Sequence, residues 1–189
     1  MNSRDLELQS NDLRLVVQLA TEMEGSYVKG DEMWADSPFR WIKSRPSRQV
    51  GKIGEELVSA WCSERGFDVR RSGDSDADRI IEGHRVEIKF STLWTDNKIY
   101  KFQQIRDQDY DFCFCLGVSP LEVHAWFIPK SELRESRPPA LVPQHGGADG
   151  IDTKWLSFQA DAPPSWLNSF GGSLEQVAEL IANAGSGPH

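Results

Sequence analysis

The segment RVEIKFS, residues 85–91, constrains the fold more than any other part of the chain. A β-strand places alternate residues on opposite faces. In this segment one face would carry Arg85, Glu87, Lys89 and Ser91, and the other would carry Val86, Ile88 and Phe90. Such a strand must cover an apolar core on one side and present charge on the other. Exposed strands often carry a Glu and a Lys at this spacing for solubility, so the tripeptide alone assigns no chemistry.

The sequence around this segment predicts one α/β domain built on a central β-sheet. DRII and the turn residues EGH precede RVEIKFS and predict a tight β-hairpin. The apolar runs YDFCFCLGV and EVHAWFIP predict the two central strands, whereas FDVRR and TKWLSF predict shorter ones. A length of 189 residues suits one substantial core and is too short for two ordinary domains.

Four segments have the apolar spacing of helices. The first is acidic and amphipathic, from about Ser3 to Glu24, and the second runs from about Arg48 to Arg65 with Ser47 as N-cap and Gly66 at its end. A third is expected from Tyr100 to about Gln108, and a capped terminal helix within SLEQVAELIAN. The chain therefore divides into an N-terminal helix and basic loop (1–46), a core (47–130) and an appended C-terminal part of the same domain (131–189).

The charge distribution favours a polyanionic partner although the net charge of −8 does not. Residues 1–39 hold three basic and eight acidic side chains, whereas residues 40–71 hold eight basic and four acidic ones. Positive charge is therefore concentrated just before the hairpin. No apolar run approaches the roughly 20 residues that cross a bilayer, and the polar N-terminus lacks the features of a signal peptide. We expect a cytoplasmic protein without a membrane partner.

Asp78 opens the strand that precedes RVEIKFS, so the hairpin can bring its carboxylate beside that of Glu87. Two adjacent carboxylates repel each other unless a cation lies between them. Mg²⁺ is usually held by one or two carboxylates together with waters and phosphate oxygens. Lys89, on the same face as Glu87, could then stabilise a phosphate in its transition state. Asp76 is the reserve for Asp78.

The order of these residues resembles the PD-(D/E)xK, or restriction-endonuclease-like, nuclease superfamily. The matching segments are GKIGEELV on a helix, SDADRII, and VEIKFS, within about residues 47–118. The resemblance implies a restriction-endonuclease-like α/β core, in which a central mixed β-sheet is flanked by helices, with an N-terminal helix and loop-rich appendages. Ala77 stands where the family name has Pro, a position that varies in the superfamily.

The resemblance also implies roles for single residues. Asp78 matches the motif aspartate, Glu87 its second acid and Lys89 its lysine, and Glu55 matches the helix glutamate of many members, with Glu56 as a competing candidate. In many relatives the helix after the E-x-K strand supplies a Gln or Tyr near the metal or backbone; we expect Gln104 in this catalytic role, since adjacent Gln103 and Gln104 on a helix could not both face the site. The implied metal ligands are Asp78, Glu87 and Glu55, and the ion is Mg²⁺, or Mn²⁺ in its place.

The implied activity is metal-dependent hydrolysis of double-stranded DNA. The absence of a fused helicase or reader domain favours a type II restriction endonuclease or its subunit, acting as a homodimer or with a partner nuclease subunit. The alternatives are a structure-specific repair or junction-resolving nuclease and a non-catalytic DNA-binding subunit of the same fold. Phosphate contacts are expected from the basic stretch, which comprises Arg40, Lys43, Arg45, Arg48 and Lys52. The acidic N-terminal helix could form a dimer surface, although packing on its own domain is the favoured interpretation.

Overall fold

A computed structural model describes residues 11–27, 32–135, 141–143 and 153–186. Its strands are β1 (Val69–Arg71), β2 (Arg79–Ile81), β3 (His84–Thr92), β4 (Ile99–Arg106), β5 (Phe112–Val118), β6 (Val123–Pro129), β7 (Leu141–Pro143) and β8 (Thr153–Gln159). Its α-helices are α1 (Asn11–Tyr27), α2 (Arg40–Lys43), α3 (Ser47–Glu64), α4 (Lys130–Glu135) and α5 (Leu174–Gly185), with 3₁₀ turns at Glu32–Trp34 and Ser165–Phe170.

The central sheet has five strands in the order β1-β2-β3-β5-β6. β3 and β5 are parallel, with Glu87 opposite Cys113 and Lys89 opposite Cys115, while the other pairs are antiparallel. The predicted mixed sheet with flanking helices is thereby confirmed. A second sheet, in the order β4-β8-β7, covers the face of the central sheet that the helices leave open.

The β2–β3 hairpin is the element that the sequence predicts best. Its strands are joined by Glu82 and Gly83, whose φ angles are 49° and 83°. Positive φ at both central residues is the geometry of a tight turn that matches the twist of the flanking strands. The turn fixes the register, in which Arg79 pairs with Val86 and Ile81 with His84.

The core has two apolar layers, one on each face of the central sheet. On one face Val58 and Cys62 of α3 pack with Val86 and Ile88 of β3, and α5 adds Val177 and Ile181. The other layer joins the central sheet to β4 and β8 through large aromatic side chains, namely Tyr100, Phe102, Trp126 and Phe158. The two layers together hold the central strands rigid.

Helix α3 begins one position earlier than predicted. Ser47 is its first residue, and the N-cap position belongs to Pro46, which forms no side-chain cap. Proline suits a helix start because its φ is already fixed and the missing N–H would lack a helical partner there. The expected N-cap role of Ser47 is therefore wrong, whereas the predicted end at Gly66, with φ of 88°, is confirmed.

The helix predicted from Tyr100 to about Gln108 is wrong, because this segment forms strand β4. Tyr100, Phe102 and Ile105 are buried, and β4 pairs with β8 over most of its length. The apolar residues follow a period of two that is interrupted once, between Phe102 and Ile105, by a β-bulge. That interruption makes the sequence resemble helical spacing.

Two further expectations concern the ends of the chain. The terminal helix is confirmed as α5, and Ser173 and Gln176 form its reciprocal capping box. Packing of the N-terminal helix on its own domain is not observed, since the side chains at positions 13–24 are exposed, among them Leu15, Val16 and Met23 at 54%, 60% and 53%. Within the described residues, no helix combines the length and apolar character needed to span a membrane.

Candidate active site

A cleft of about 1150 Å³ lies where the first half of α3 meets the end of β3 and the β3–β4 hairpin. Its wall includes four cations that precede or begin α3, namely Lys43, Arg45, Arg48 and Lys52. It also includes the acids Glu55 and Asp78, the lysines Lys89 and Lys101, and the glutamines Gln103 and Gln104. Residues that the sequence analysis selected from three separate segments thus meet in one cavity.

Asp78 is held in place by the hairpin. Its backbone N–H donates to the Val86 carbonyl at 3.0 Å, and its Oδ2 accepts the backbone N–H of Ile88 at 2.7 Å. These two bonds place the carboxylate across the hairpin from Glu87. The geometry distinguishes Asp78 from the reserve candidate Asp76, which is not among the residues that line the cleft.

The neighbouring acids of the SDAD segment have other partners. Asp74 receives two hydrogen bonds from the Arg85 guanidinium, at 2.8 and 3.1 Å, and these lower its pKa to about 2. Asp76 accepts a long contact of 3.5 Å from the Gln108 amide. Both residues stabilise the loop before β2, which leaves Asp78 as the acid of this segment that reaches the cleft.

Glu87 and Lys89 form a buried ion pair beside the cleft; Lys89 lines the cleft, whereas Glu87 is not among the lining residues. The Glu87 carboxylate, 5% exposed, lies 2.5 Å from the Lys89 ammonium. Burial and the adjacent Asp78 carboxylate raise the pKa of Glu87 above its usual value, against the opposing effect of Lys89. Burial alone would lower the pKa of Lys89, but Glu87 reverses this and the net shift is upward, so Lys89 stays protonated.

Glu55 extends this acidic group from the side of α3. Burial is the first cause that raises its pKa, followed by the charge of Asp78. Its carboxylate lies 3.8 Å from the Arg79 guanidinium, which also donates to Ser59 Oγ at 2.8 Å. The competing Glu56 instead forms an exposed ion pair with Lys52 at 3.9 Å. Glu55, and not Glu56, therefore lines the cleft.

The donor set fits a hard divalent cation held by two carboxylates. Among the described residues, no three Asp, Glu, His or Cys side chains converge closely enough to form a metal site by themselves. Asp78 and Glu87 nevertheless lie together: burial, followed by the charge of Asp78, raises the pKa of Glu87 against the opposing effect of Lys89, and a cation would compensate the two carboxylates. Mg²⁺ commonly uses one or two carboxylates and completes its shell with water and phosphate oxygens. Glu55 lies close enough to Asp78 for the Asp78 charge to raise the pKa of Glu55, after the larger effect of burial.

Gln103 and Gln104 both line the cleft, which corrects the expectation that only one of them could. That expectation assumed a helix. In the strand, the bulge between Phe102 and Ile105 inserts an extra residue, and Gln104 has a φ of 57°. The extra residue turns two consecutive side chains toward the same side.

Most of the predicted basic stretch surrounds the cleft. Lys43, Arg45, Arg48 and Lys52 contribute to its wall, whereas Arg40 does not and donates to the Ala35 carbonyl at 3.4 Å. Lys43 and Arg45 precede α3 and Arg48 and Lys52 lie in its first turns, so these cations stand close in the chain to Glu55 on the same helix.

The sequence analysis missed the cleft residues of the β3–β4 hairpin. Trp94 is 45% exposed, and the Lys101 ammonium lies 3.7 Å from the centre of its ring. Ser91 accepts the backbone N–H of Lys101 at 2.9 Å and thus ties the two strands together. Alternation of Tyr100 and Phe102 with Lys101 and Gln103 is the signal that predicts this strand.

Comparisons with known proteins give a fold likeness only. No family model matches the chain, and no curated protein sequence matches it. Among solved structures it is similar to the bacterial homing endonuclease I-Ssp6803I, with a TM-score of 0.49 and 14% identity over 75% of this chain and 96% of that chain. A likeness of this size carries no information about the site.

Proposed function

We propose that this chain is a divalent-metal-dependent DNA endonuclease that hydrolyses phosphodiester bonds in the cleft. The observation that carries the proposal is the arrangement of Asp78, Glu87 and Lys89. Two carboxylates and a protonated lysine lie together, and two of these three residues, Asp78 and Lys89, line a cleft whose wall also carries several cations. A polyanion with a reactive phosphate is the ligand class that such a charge arrangement suits.

Each residue then has a distinct task. Asp78 and Glu87 hold the cation, with Glu55 beside them, and the backbone N–H of Ile88 fixes the orientation of Asp78. The bound cation would acidify a coordinated water and stabilise negative charge on the phosphate. Lys89, which is paired with Glu87, would place its positive charge near the phosphate, where negative charge increases in the transition state.

The cations at the start of α3 account for binding. Lys43, Arg45 and Arg48 lie on the wall of the same cleft as the acidic group. Positive side chains at this place would neutralise backbone phosphates on either side of the scissile bond and offset repulsion by the acidic remainder of the protein. Local positive charge of this kind allows DNA binding by a protein whose net charge is −8.

Within this class we assign the chain to sequence-specific endonucleases of the type II restriction kind, or to a subunit of one, with double-stranded DNA as substrate. The assignment is supported by the cleft itself, whose wall includes the acids Glu55 and Asp78 together with neutral hydrogen-bonding side chains. Incubation of the purified protein with plasmid and phage DNA, with Mg²⁺ or with EDTA, tests the proposal. Discrete fragments that require Mg²⁺ are expected. Intact DNA under both conditions would contradict it.

A further inference from the structure

The β-bulge of β4 gives the cleft a pair of adjacent amide side chains. Phe102 pairs with Leu156 and Ile105 with Lys154, so Gln103 and Gln104 together oppose the single residue Trp155. Phe102 and Ile105 are fully buried, whereas both glutamines are exposed. The bulge therefore leaves the core intact and displays two consecutive amides on the outer side of the strand.

Gln104 keeps a side chain at a position where glycine would be the less strained residue. Its φ of 57° lies in the left-handed region that residues with a Cβ disfavour. In the described part of the chain, the other non-glycine residues with positive φ are Glu82 and Lys98, which lie in hairpin turns. Gln104 lies inside a strand, and strained backbone of this kind is concentrated at functional sites.

The two amides line the cleft and form no hydrogen bond with the described part of the chain. Within residues 11–27, 32–135, 141–143 and 153–186, no group hydrogen-bonds to the side chain of Gln103 or Gln104. Both contribute to the cleft wall together with Asp78 and Lys89. A molecule that lies against the acidic centre would therefore meet these amides.

We propose that Gln103 and Gln104 read the edge of an adenine in the major groove of the bound duplex; this inference rests on the proposed function. A glutamine amide presents an N–H donor beside a carbonyl acceptor. Adenine offers the complementary pair in the major groove, the N7 acceptor and the N6 donor. A neutral amide neither carries the charge that grips a phosphate nor exchanges protons as an acid or base, so its chemistry matches base recognition.

The test separates binding from cutting. Duplexes with a randomised central region are selected for binding to the wild-type protein, to Gln103→Ala and Gln104→Ala, and to Gln104→Gly. Gln159→Ala is the matched control, because Gln159 is an exposed glutamine on β8 that does not line the cleft. Thermal unfolding of each variant checks the fold, and Gln104→Gly should melt at or above the wild-type temperature because glycine relieves the strained φ.

The wild type and Gln159→Ala should enrich adenine at one or more fixed positions, with about tenfold discrimination against other bases. This enrichment should be lost in the Gln103 and Gln104 variants. Replacing the enriched adenine by 7-deazaadenine, which removes the N7 acceptor, should weaken wild-type binding about tenfold and leave Gln104→Gly unaffected. Adenine enrichment that persists in all variants, or its absence from the wild type, would overturn the inference.

Cleavage of the selected duplexes in Mg²⁺ then keeps the two proposals apart. Lost adenine preference with retained cutting supports both of them. A uniform slowing of cleavage in the Gln103 and Gln104 variants, with unchanged base preference, would overturn base reading and leave the endonuclease proposal standing. Adenine-specific binding without any cutting by the wild type would support base reading and overturn the endonuclease proposal.

Discussion

The register of the β2–β3 hairpin decides which acidic side chain meets Glu87. Arg79 pairs with Val86, so Asp78 stands opposite Glu87, and the Ile88 N–H holds its carboxylate there. The sequence places three aspartates within five residues and cannot choose among them by spacing alone. The choice depends on the partners of the others, since Asp74 is bound by Arg85, which belongs to β3 itself.

Lys89 should act on the chemical step and not on binding. Its ammonium is largely buried and paired with Glu87, whereas the binding role is assigned to the cations that precede and begin α3. We expect Lys89→Ala to lower the single-turnover cleavage rate by about 10²- to 10³-fold, because its charge acts on a transition state. The dissociation constant for DNA, measured without metal, should change by less than about threefold. Equal losses in rate and affinity would contradict this role.

Glu55 should lower the stability of the metal-free protein at neutral pH. Burial and then Asp78 raise its pKa, so its folded-state pKa exceeds the unfolded value and stability falls as pH rises through that window. We expect Glu55→Gln to melt above the wild type at about pH 7.5, with the difference narrowing as the pH falls below about 4, where the carboxyl becomes protonated in both states.

The control for this comparison is Glu56→Gln on the same helix. Glu56 is exposed and lies beside Lys52, so its replacement should change the melting temperature at about pH 7.5 only slightly. A lower melting temperature of Glu55→Gln at about pH 7.5 would show that the Arg79 contact outweighs burial and repulsion.

Helix α3 connects the binding cations to the acidic centre by lying directly against β3. A Cβ on Gly54 would come within 2.2 Å of the Phe90 Cβ, whereas one on Gly51 would meet nothing within 4 Å. Only glycine permits this approach at position 54. The helical spacing of the stretch predicts α3, but the packing distance that makes one of its two glycines indispensable is a tertiary property.

The two glycines provide a matched pair of variants. Gly54→Ala should lower the free energy of unfolding by about 1–3 kcal/mol, because the helix or Phe90 must move. Gly51→Ala should raise it by about 0.5–1 kcal/mol, because alanine favours the helix and meets open space. Chemical denaturation measures both. Similar effects of the two substitutions would show that α3 does not pack on β3 in this way.

Strand β4 is the element whose type could not be predicted from the sequence. Alternation predicts β3 correctly because its period is unbroken from Arg85 to Ser91. In β4 one extra residue separates Phe102 from Ile105, and a rule that reads period alone assigns a helix. The pairing with β8, more than 45 residues further along the chain, stabilises the strand and cannot be inferred from local spacing.

At the scale of the whole molecule, the fold brings the basic stretch and the acids Glu55 and Asp78 to one cleft. The basic stretch was predictable from a shift in composition, and its position on the cleft wall follows from its place at the start of α3. The exposed apolar side chains of α1 were not predictable, because amphipathic spacing identifies a helix but not what covers it.

Salt dependence of DNA binding measures whether the basic stretch holds phosphates. Log affinity should fall with log salt by about 0.9 per phosphate contact, and replacing Arg45 and Arg48 by Ala should reduce that slope by roughly 1.8. Arg70→Ala with Arg71→Ala removes the same charge from β1, outside the cleft wall, and should leave the slope nearly unchanged. Equal salt slopes for both double variants would show that the DNA phosphates do not contact Arg45 and Arg48.

The most direct test of the account compares Asp78→Asn with Asp76→Asn in Mg²⁺-dependent cleavage of plasmid DNA. Both variants remove one negative charge from the same loop, but only Asp78 lines the cleft and bonds to Ile88 opposite Glu87. The account predicts that Asp78→Asn loses cleavage by at least about 10³-fold, since a metal ligand is lost, while Asp76→Asn stays within about threefold of the wild type. Comparable cleavage by Asp78→Asn and the wild type, or full wild-type cleavage in EDTA, would contradict the central claim that a cation held by Asp78 and Glu87 cuts the DNA.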